Sequence, residues 1–347
     1  MEIKKLLTEL CGLMSVVGFE YHDEEKLTAL VAPYFDEHEY DTVGNHIFIK
    51  RCGKENAKRL FIDVHYDEVG LMVKGITDGG HLRVCMLGGL DARILPASEV
   101  IVYGKETLHG IVLMKPTVLM DGKEKEKLTA VPELLVDVGL TKAEAEELTP
   151  IGTPIGFEPA YTELRGGYIA GKGMDDKCCA IPVMAAVAVL DMKELDCDIY
   201  FSMSAREEVG HRAVSSAVFR IRPDAAIVLD VGFGLAPEGK KPDDADMKGG
   251  PIVTLSALLD KDFTDMVIET AKKRRSRVSP SWTPRRQVRM RMRSSMRQAV
   301  RPPCFSVFRF GLCIRQMKRS RSMTSNIPQS FLWRSFVKNS AERTAKR

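Results

Sequence analysis

Leu6, Leu7, Leu10, Leu13 and Met14 recur at helical spacing and predict an amphipathic helix over 3–14. A second helix is predicted over 23–35, with Gly18-Phe19-Glu20-Tyr21 as the loop between them. The apolar runs 45–49 and 60–64 predict two strands joined by a turn over 50–58. From about 71 to 165 short β-rich runs (71–73, 81–86, 99–102 and 110–114) alternate with Gly and Pro turns, the texture of an inserted antiparallel β domain. One helix interrupts it at 141–148, where Thr141 and Glu144 fit a capping box. Beyond 165 helix and strand alternate again. A helix over 180–190 precedes the strand 198–203, and a further helix precedes the strand 225–229. Near-continuous apolar strands separated by helices predict an α/β fold with a mostly parallel central sheet covered by helices. No internal repeat is evident.

The domain boundaries expected from this pattern are a discontinuous catalytic part over 1–70 and 165–273, an inserted β domain over 71–164, and a tail over 274–347. Charge separates the tail sharply. It holds 20 of the 51 Lys and Arg residues but only one of the 47 acids, Glu342, so the body carries −15 and the tail +19. Both tryptophans, Trp282 and Trp333, also lie there. Eight cysteines without a Cys-x-x-Cys pair argue against a zinc ribbon or a disulfide framework, and for a reducing cytoplasm. Lys4, Lys5, Thr8 and Glu9 break the first residues, so neither a signal peptide nor a membrane span is expected.

Candidate chemistry gathers where apolar runs end. His65 and Asp67 follow the second strand, Glu207 and Glu208 follow the strand 198–203, and Asp230 ends the strand 225–229. Ligand sites in open α/β sheets lie beyond such carboxyl ends. Asp175 and Asp176 sit between glycines and a long apolar run. Each alone has a plainer role: a surface pair for His65 and Asp67, a solvated acid pair, a turn at Asp230, helix caps for Asp175 and Asp176. Together, in this order, they point to a two-metal hydrolase. Two divalent ions about 3.5–4 Å apart can polarise a peptide carbonyl and acidify a water. Holding them that close requires an anionic bridge, for which Asp175 is the candidate. A carboxylate that is not a ligand can carry the proton. In an extended segment Glu207 and Glu208 would point opposite ways, one to a metal and one to the water.

His-x-Asp-Glu-x-Gly at 65–70, Gly-Lys-Gly-x-Asp-Asp at 171–176, Glu-Glu-Val-Gly at 207–210 and Asp-Val at 230–231 resemble the M42 family of metallo-aminopeptidases. The resemblance runs through 1–273 and includes Val136-Asp137-Val138-Gly139, Ile151-Gly152-Thr153-Pro154 and Gly249-Gly250-Pro251. It implies that His65, Asp175 and Asp230 hold one metal and that Asp175 and Glu208 hold the other, zinc or cobalt. Glu207 would be the general base, and Asp67 would orient His65. The resemblance also implies short peptide substrates, a small barrel-like β insertion used for dimer contacts, and dimers assembling to dodecamers. Lys177 stands where the family usually has Arg, Arg206 where it often has a neutral polar residue, and Ala213 where it has Gly; His211 is extra.

The family supplies one more His to the second metal, from a C-terminal segment. Here the seven histidines end at His211, so the second site is incomplete as written. The tail suggests a cause. Read from each codon's third base, with the last base of Gln287, residues 288–294 can encode Gly-Thr-Asn-Ala-Asp-Glu-Ile. Residues 303–318 can likewise encode Thr-Val-Leu-Leu-Ser-Val-Pro-Leu-Arg-Ser-Met-His-Thr-Ala-Asp-Glu. Both are close to family segments, and the lost His codon would straddle Cys313 and Ile314. A frameshift near 273–275 is therefore the expectation, with a poorly packed, out-of-frame tail and impaired activity. Two rivals stand beside it. One is a nucleic-acid-binding arm built on Arg289, Arg291, Arg293, Arg297 and Arg301, although nucleic acid is not the expected partner. The other is an inactive peptidase-like oligomeric scaffold. Sequencing the gene across codons 265–320 should reveal the shifted codons, and a frame-restored chain should be more soluble and more active than this one. Equal solubility and activity of the two refutes the frameshift reading.

Overall fold

The computed structural model describes residues 2–122, 131–165, 168–210, 212–232, 250–256, 259–273, 279–282 and 305–310. The chain forms two units, one of residues 1–13, 23–66 and 160 onward, the other of residues 14–22 and 67–159.

Strands and helices are numbered along the chain. The first unit is an α/β sheet of eight strands in the order β1 (Glu37–Tyr40), β2 (His46–Lys50), β12 (Cys197–Ser204), β3 (Lys58–His65), β13 (Ala225–Val231), β16 (Phe305–Phe310), β14 (Ile252–Leu255) and β15 (Ser279–Trp282). Its centre is parallel: β12, β3, β13 and β16 pair in one direction, as do β14 and β15. The pairings β1–β2, β2–β12 and β14–β16 are antiparallel. Strands buried on both faces must be apolar throughout. Ile62, Val64, Ile199, Phe201 and Met203 are accordingly buried, and contribute to one core with Leu6, Leu10, Leu27, Met184 and Val187. These last five lie on the inward faces of α1 (Ile3–Gly12), α2 (Glu24–Val31) and α5 (Ala180–Val187). A second cluster contains Ile47, Ile49, Phe61, Val214, Ala217 and Val218, the last three on α6 (Arg212–Ile221).

Two pieces of the basic tail, β15 and β16, add strands to this sheet, with β16 parallel to β13 from Ala226↔Phe305 to Val231↔Phe310. Aromatic and β-branched residues favour extended chain, and Phe-Ser-Val-Phe-Arg-Phe offers four apolar positions out of six. The remaining tail, with Trp333 and the arginines of 285–301, lies outside the described residues, as do His211 and Gly249.

The second unit is a closed six-stranded barrel in the order β4 (Gly70–Ile76), β5 (Leu82–Leu87), β8 (Leu135–Asp137), β7 (Thr107–Leu113), β6 (Glu99–Tyr103) and β9 (Pro154–Phe157). Alternate residues fill it: Leu71 and Val73, Leu82 and Val84, Val100 and Val102. Its helix α3 (Lys142–Leu148) starts with the capping box expected at Thr141 and Glu144. Residues 14–22 join this unit through backbone pairing. Val17 N–H donates to Glu68 O at 2.9 Å, and Glu68 N–H donates to Ser15 O at 2.9 Å. Glycine is required where they meet, since a Cβ at Gly70 would lie 2.7 Å from Val16 Cγ1.

His46 on β2, the strand next to the edge strand β1, is 1% exposed. Its Nδ1 lies 3.0 Å from His38 Nε2, and the Tyr66 ring meets it edge-on. Burial, and then the His38 charge, depress its pKa to about 3. The unfolded chain takes up that proton near pH 6.5 and the folded chain only near 3. The stabilising difference is therefore fully present above 6.5 and is lost as pH falls towards 3. Chemical unfolding between about pH 7 and 5 should show stability falling with acid, by at most about 1.4 kcal/mol per pH unit from this group. The fall should be shallower in His46→Phe; an unchanged slope would remove His46 from the account.

Candidate metal centre

The three central strands end together because they pair in parallel and in register. Ser204 is opposite His65, and Val228 is opposite Asp63, which sets Asp230 level with His65. His65 closes β3 and is 4% exposed, while Asp230 lies near the end of β13, partly exposed. Glu207 and Glu208 follow β12, but not as extended chain. Arg206 takes a left-handed φ of 58°, and Gly210 N–H donates to Glu207 O at 3.0 Å, closing a turn. The expected opposite orientation of the two acids is replaced by convergence on His65.

Asp175 arrives from the other side on the loop after β11 (Tyr168–Gly171), a strand paired antiparallel with β10 (Tyr161–Leu164). Gly173 supplies φ +67°, which leads into the short turn α4 (Met174–Lys177). Neither α4 nor α5 has a side-chain N-cap hydrogen bond, so Asp175 and Asp176 are not used as caps. Two cationic donors tie the loop down: Lys172 Nζ and Lys177 Nζ donate to Leu13 O at 3.0 and 3.2 Å. Lys177, at the position where Arg is expected, is fully buried.

His65 Nε2 lies 3.0 Å from Asp175 Oδ1 and 4.0 Å from Glu207 Oε2. The Asp175 side chain is 57% exposed, whereas those of His65 and Glu207 are 5% and 11% exposed. Donor atoms of His65, Asp175 and Asp230 lie within 4.8 Å of one another, as do those of His65, Glu207 and Glu208. Carboxylates packed so closely repel one another, a repulsion that a bound cation would offset. Mixed nitrogen and oxygen donors at this spacing suit divalent transition ions. The residues present therefore fit the metal that their pattern implies.

Asp67 is fully buried, two positions beyond His65 in the chain. One acid that the motifs do not single out is Asp63, on the same face of β3 as His65 and 1% exposed. Burial pushes its carboxyl up to about 7, and Ser204 Oγ donates to its Oδ2 at 3.1 Å. The signal available in sequence is an acid interrupting the apolar strand Leu60–Val64.

The family model described as M42 glutamyl aminopeptidase matches residues 44–282. A lysyl aminopeptidase of Pyrococcus furiosus is 30% identical over 277 residues, covering 78% of each chain. A TET aminopeptidase from the marine sediment archaeon Thaumarchaeota archaeon SCGC AB-539-E09 superposes with a TM-score of 0.83 at 24% identity, over 97% of each chain. The Pyrococcus horikoshii TET1 peptidase, described as assembling into a tetrahedron or a large octahedral shell, gives 0.75 at 23% identity, over 89% of this chain and 90% of that one. The last two share the fold, and the first two carry the lineage: the chain belongs to the M42 peptidase family and, by that membership, is a hydrolase of the aminopeptidase class.

Proposed function

We propose that this protein is a metal-dependent aminopeptidase of the cytoplasm that removes N-terminal residues from short peptides with two divalent ions, zinc or cobalt. The observation that carries the reading is the pair of donor groups meeting at His65. His65, Asp175 and Asp230 would hold one ion. Asp175, bridging, and Glu208 would hold the other. Bound there, the ions would polarise the scissile carbonyl and acidify a water. Glu207, largely buried beside His65, takes the water's proton on its carboxylate and returns it to the departing amine. Asp67 is assigned the orienting of His65. The Asp175 side chain is exposed and so accessible to a peptide end. Free cysteines at Cys11, Cys52, Cys85, Cys178, Cys179 and Cys197 are compatible with a reducing compartment. With no His beyond 211, the second ion is held weakly and activity is impaired.

In a frame-restored chain, Glu207→Gln should lower kcat about 10²–10⁴-fold while metal content stays at two ions, since it removes the proton carrier and not a ligand. His65→Ala should instead lose metal. Full metal content without peptidase activity in the frame-restored parent would favour the inactive scaffold.

We also propose a homo-oligomer built from dimers, up to a dodecamer. Its support is the set of exposed apolar side chains on the barrel unit: Ile94 and Val118 are 70% and 85% exposed, and Leu119 and Ile111 are exposed as well. Ultracentrifugation should show the frame-restored assembly reduced to smaller particles by Val118→Asp with Leu119→Asp. An unchanged particle size counts against these side chains as the contact.

A further inference from the structure

Behind Asp175 lies a second cluster of ligating groups that the peptidase reading does not use. Asp176, Cys178 and Cys179 are 0%, 2% and 0% exposed. An oxygen of Asp176 and the Sγ atoms of Cys178 and Cys179 lie within 4.8 Å of one another. The local backbone brings them together: Cys179 N–H donates to Asp176 O at 2.9 Å, closing a turn, and both cysteines are in right-handed helical conformation. Neither carboxylate oxygen of Asp176 accepts a hydrogen bond of ordinary geometry. The Cys179 thiol facing it is a weak donor at best. A buried carboxyl group left in this condition is expensive unless something binds it. Cys11 Sγ also lies 3.9 Å from Met174 Sδ, one residue before Asp175.

We propose that Asp176, Cys178 and Cys179 form a separate site for a thiophilic divalent cation, on the buried side of the turn that carries Asp175. Two thiolates and one carboxylate are a donor set for zinc or cadmium, whereas the clusters around His65 contain no sulfur. Binding exchanges two thiol protons, released to solvent, for one cation. The occupied site would anchor the α4 turn from below. The inference stands on Asp176 and the cysteines alone and does not depend on peptidase activity.

The test is a cadmium titration of the reduced, chelator-stripped full-length chain, read by the ultraviolet sulfur-to-cadmium charge-transfer band. The band should saturate at one sulfur-bound cadmium per chain in the parent, persist in His65→Ala, and vanish in Cys178→Ser with Cys179→Ser. Asp176→Asn, which keeps the shape of the turn, should weaken cadmium binding about tenfold or more, the scale that even a supporting partner commands. Cadmium NMR of the unsubstituted chain should give a resonance of a site with two sulfur ligands, which requires no variant to fold. A band that survives the double cysteine substitution, full affinity in Asp176→Asn, or a cadmium spectrum without any resonance of a sulfur-ligated site overturns the proposal.

Discussion

Parallel, in-register pairing of β3, β12 and β13 is the constraint from which the rest of the site follows. A parallel pair fixes which ends of its strands meet, and the Ser204↔His65 and Asp63↔Val228 registers fix how far each strand reaches. Three chain segments far apart in sequence are thereby made to stop at one level, and each stops in a polar group. Apolar burial supplies the force: Ile62, Val64, Ile199, Phe201 and Met203 leave water only if the strands stay in this order. Hydrophobic packing thus imposes the approach of the acids, although charge alone would oppose it.

The fourth contribution comes by a loop, and a loop needs holding. Gly173 turns the chain with a left-handed φ, and the buried ammonium of Lys177 and that of Lys172 share the carbonyl of Leu13. Charge-assisted donors of this kind are stronger than neutral ones, and a buried Lys without a partner would be costly. Lys therefore anchors this loop where Arg was expected. Asp175 is held at 3.0 Å from His65 while its side chain remains open to solvent. A fixed backbone with an accessible carboxylate is what a ligand-binding acid requires.

Much of this was legible in the sequence, for reasons that differ by element. The runs 60–64 and 198–203 are too apolar and too short to be anything but buried strands, so β3 and β12 could be placed, and with them His65 and the Glu207–Glu208 pair. Asp175 was legible through its glycines. The conformation of Glu207 and Glu208 was not, because the turn depends on Arg206 adopting a positive φ that no residue type there announces. Asp63 was hidden within a strand whose apolar neighbours define the pattern. β1 is mostly exposed at the sheet edge and has no apolar alternation to read. The grouping of residues 14–22 with the barrel depends on backbone bonds to Glu68, which leave no side-chain signature.

The tail sharpens the distinction between fold and chemistry. β16 takes a place beside β13, between it and β14, with Arg309 in register with Asp230. A strand in that position needs an extended backbone and β-favouring residues, requirements that many sequences meet. A metal ligand makes a different demand: one imidazole at one position, for which no run of arginines substitutes. The proposed shift of reading frame would therefore leave enough β propensity to complete a sheet while removing the donor that the resemblance assigns to this segment. On the proposed reading the fold would tolerate such a loss because its pairing is generic, and a second ion would not, because its coordination is specific.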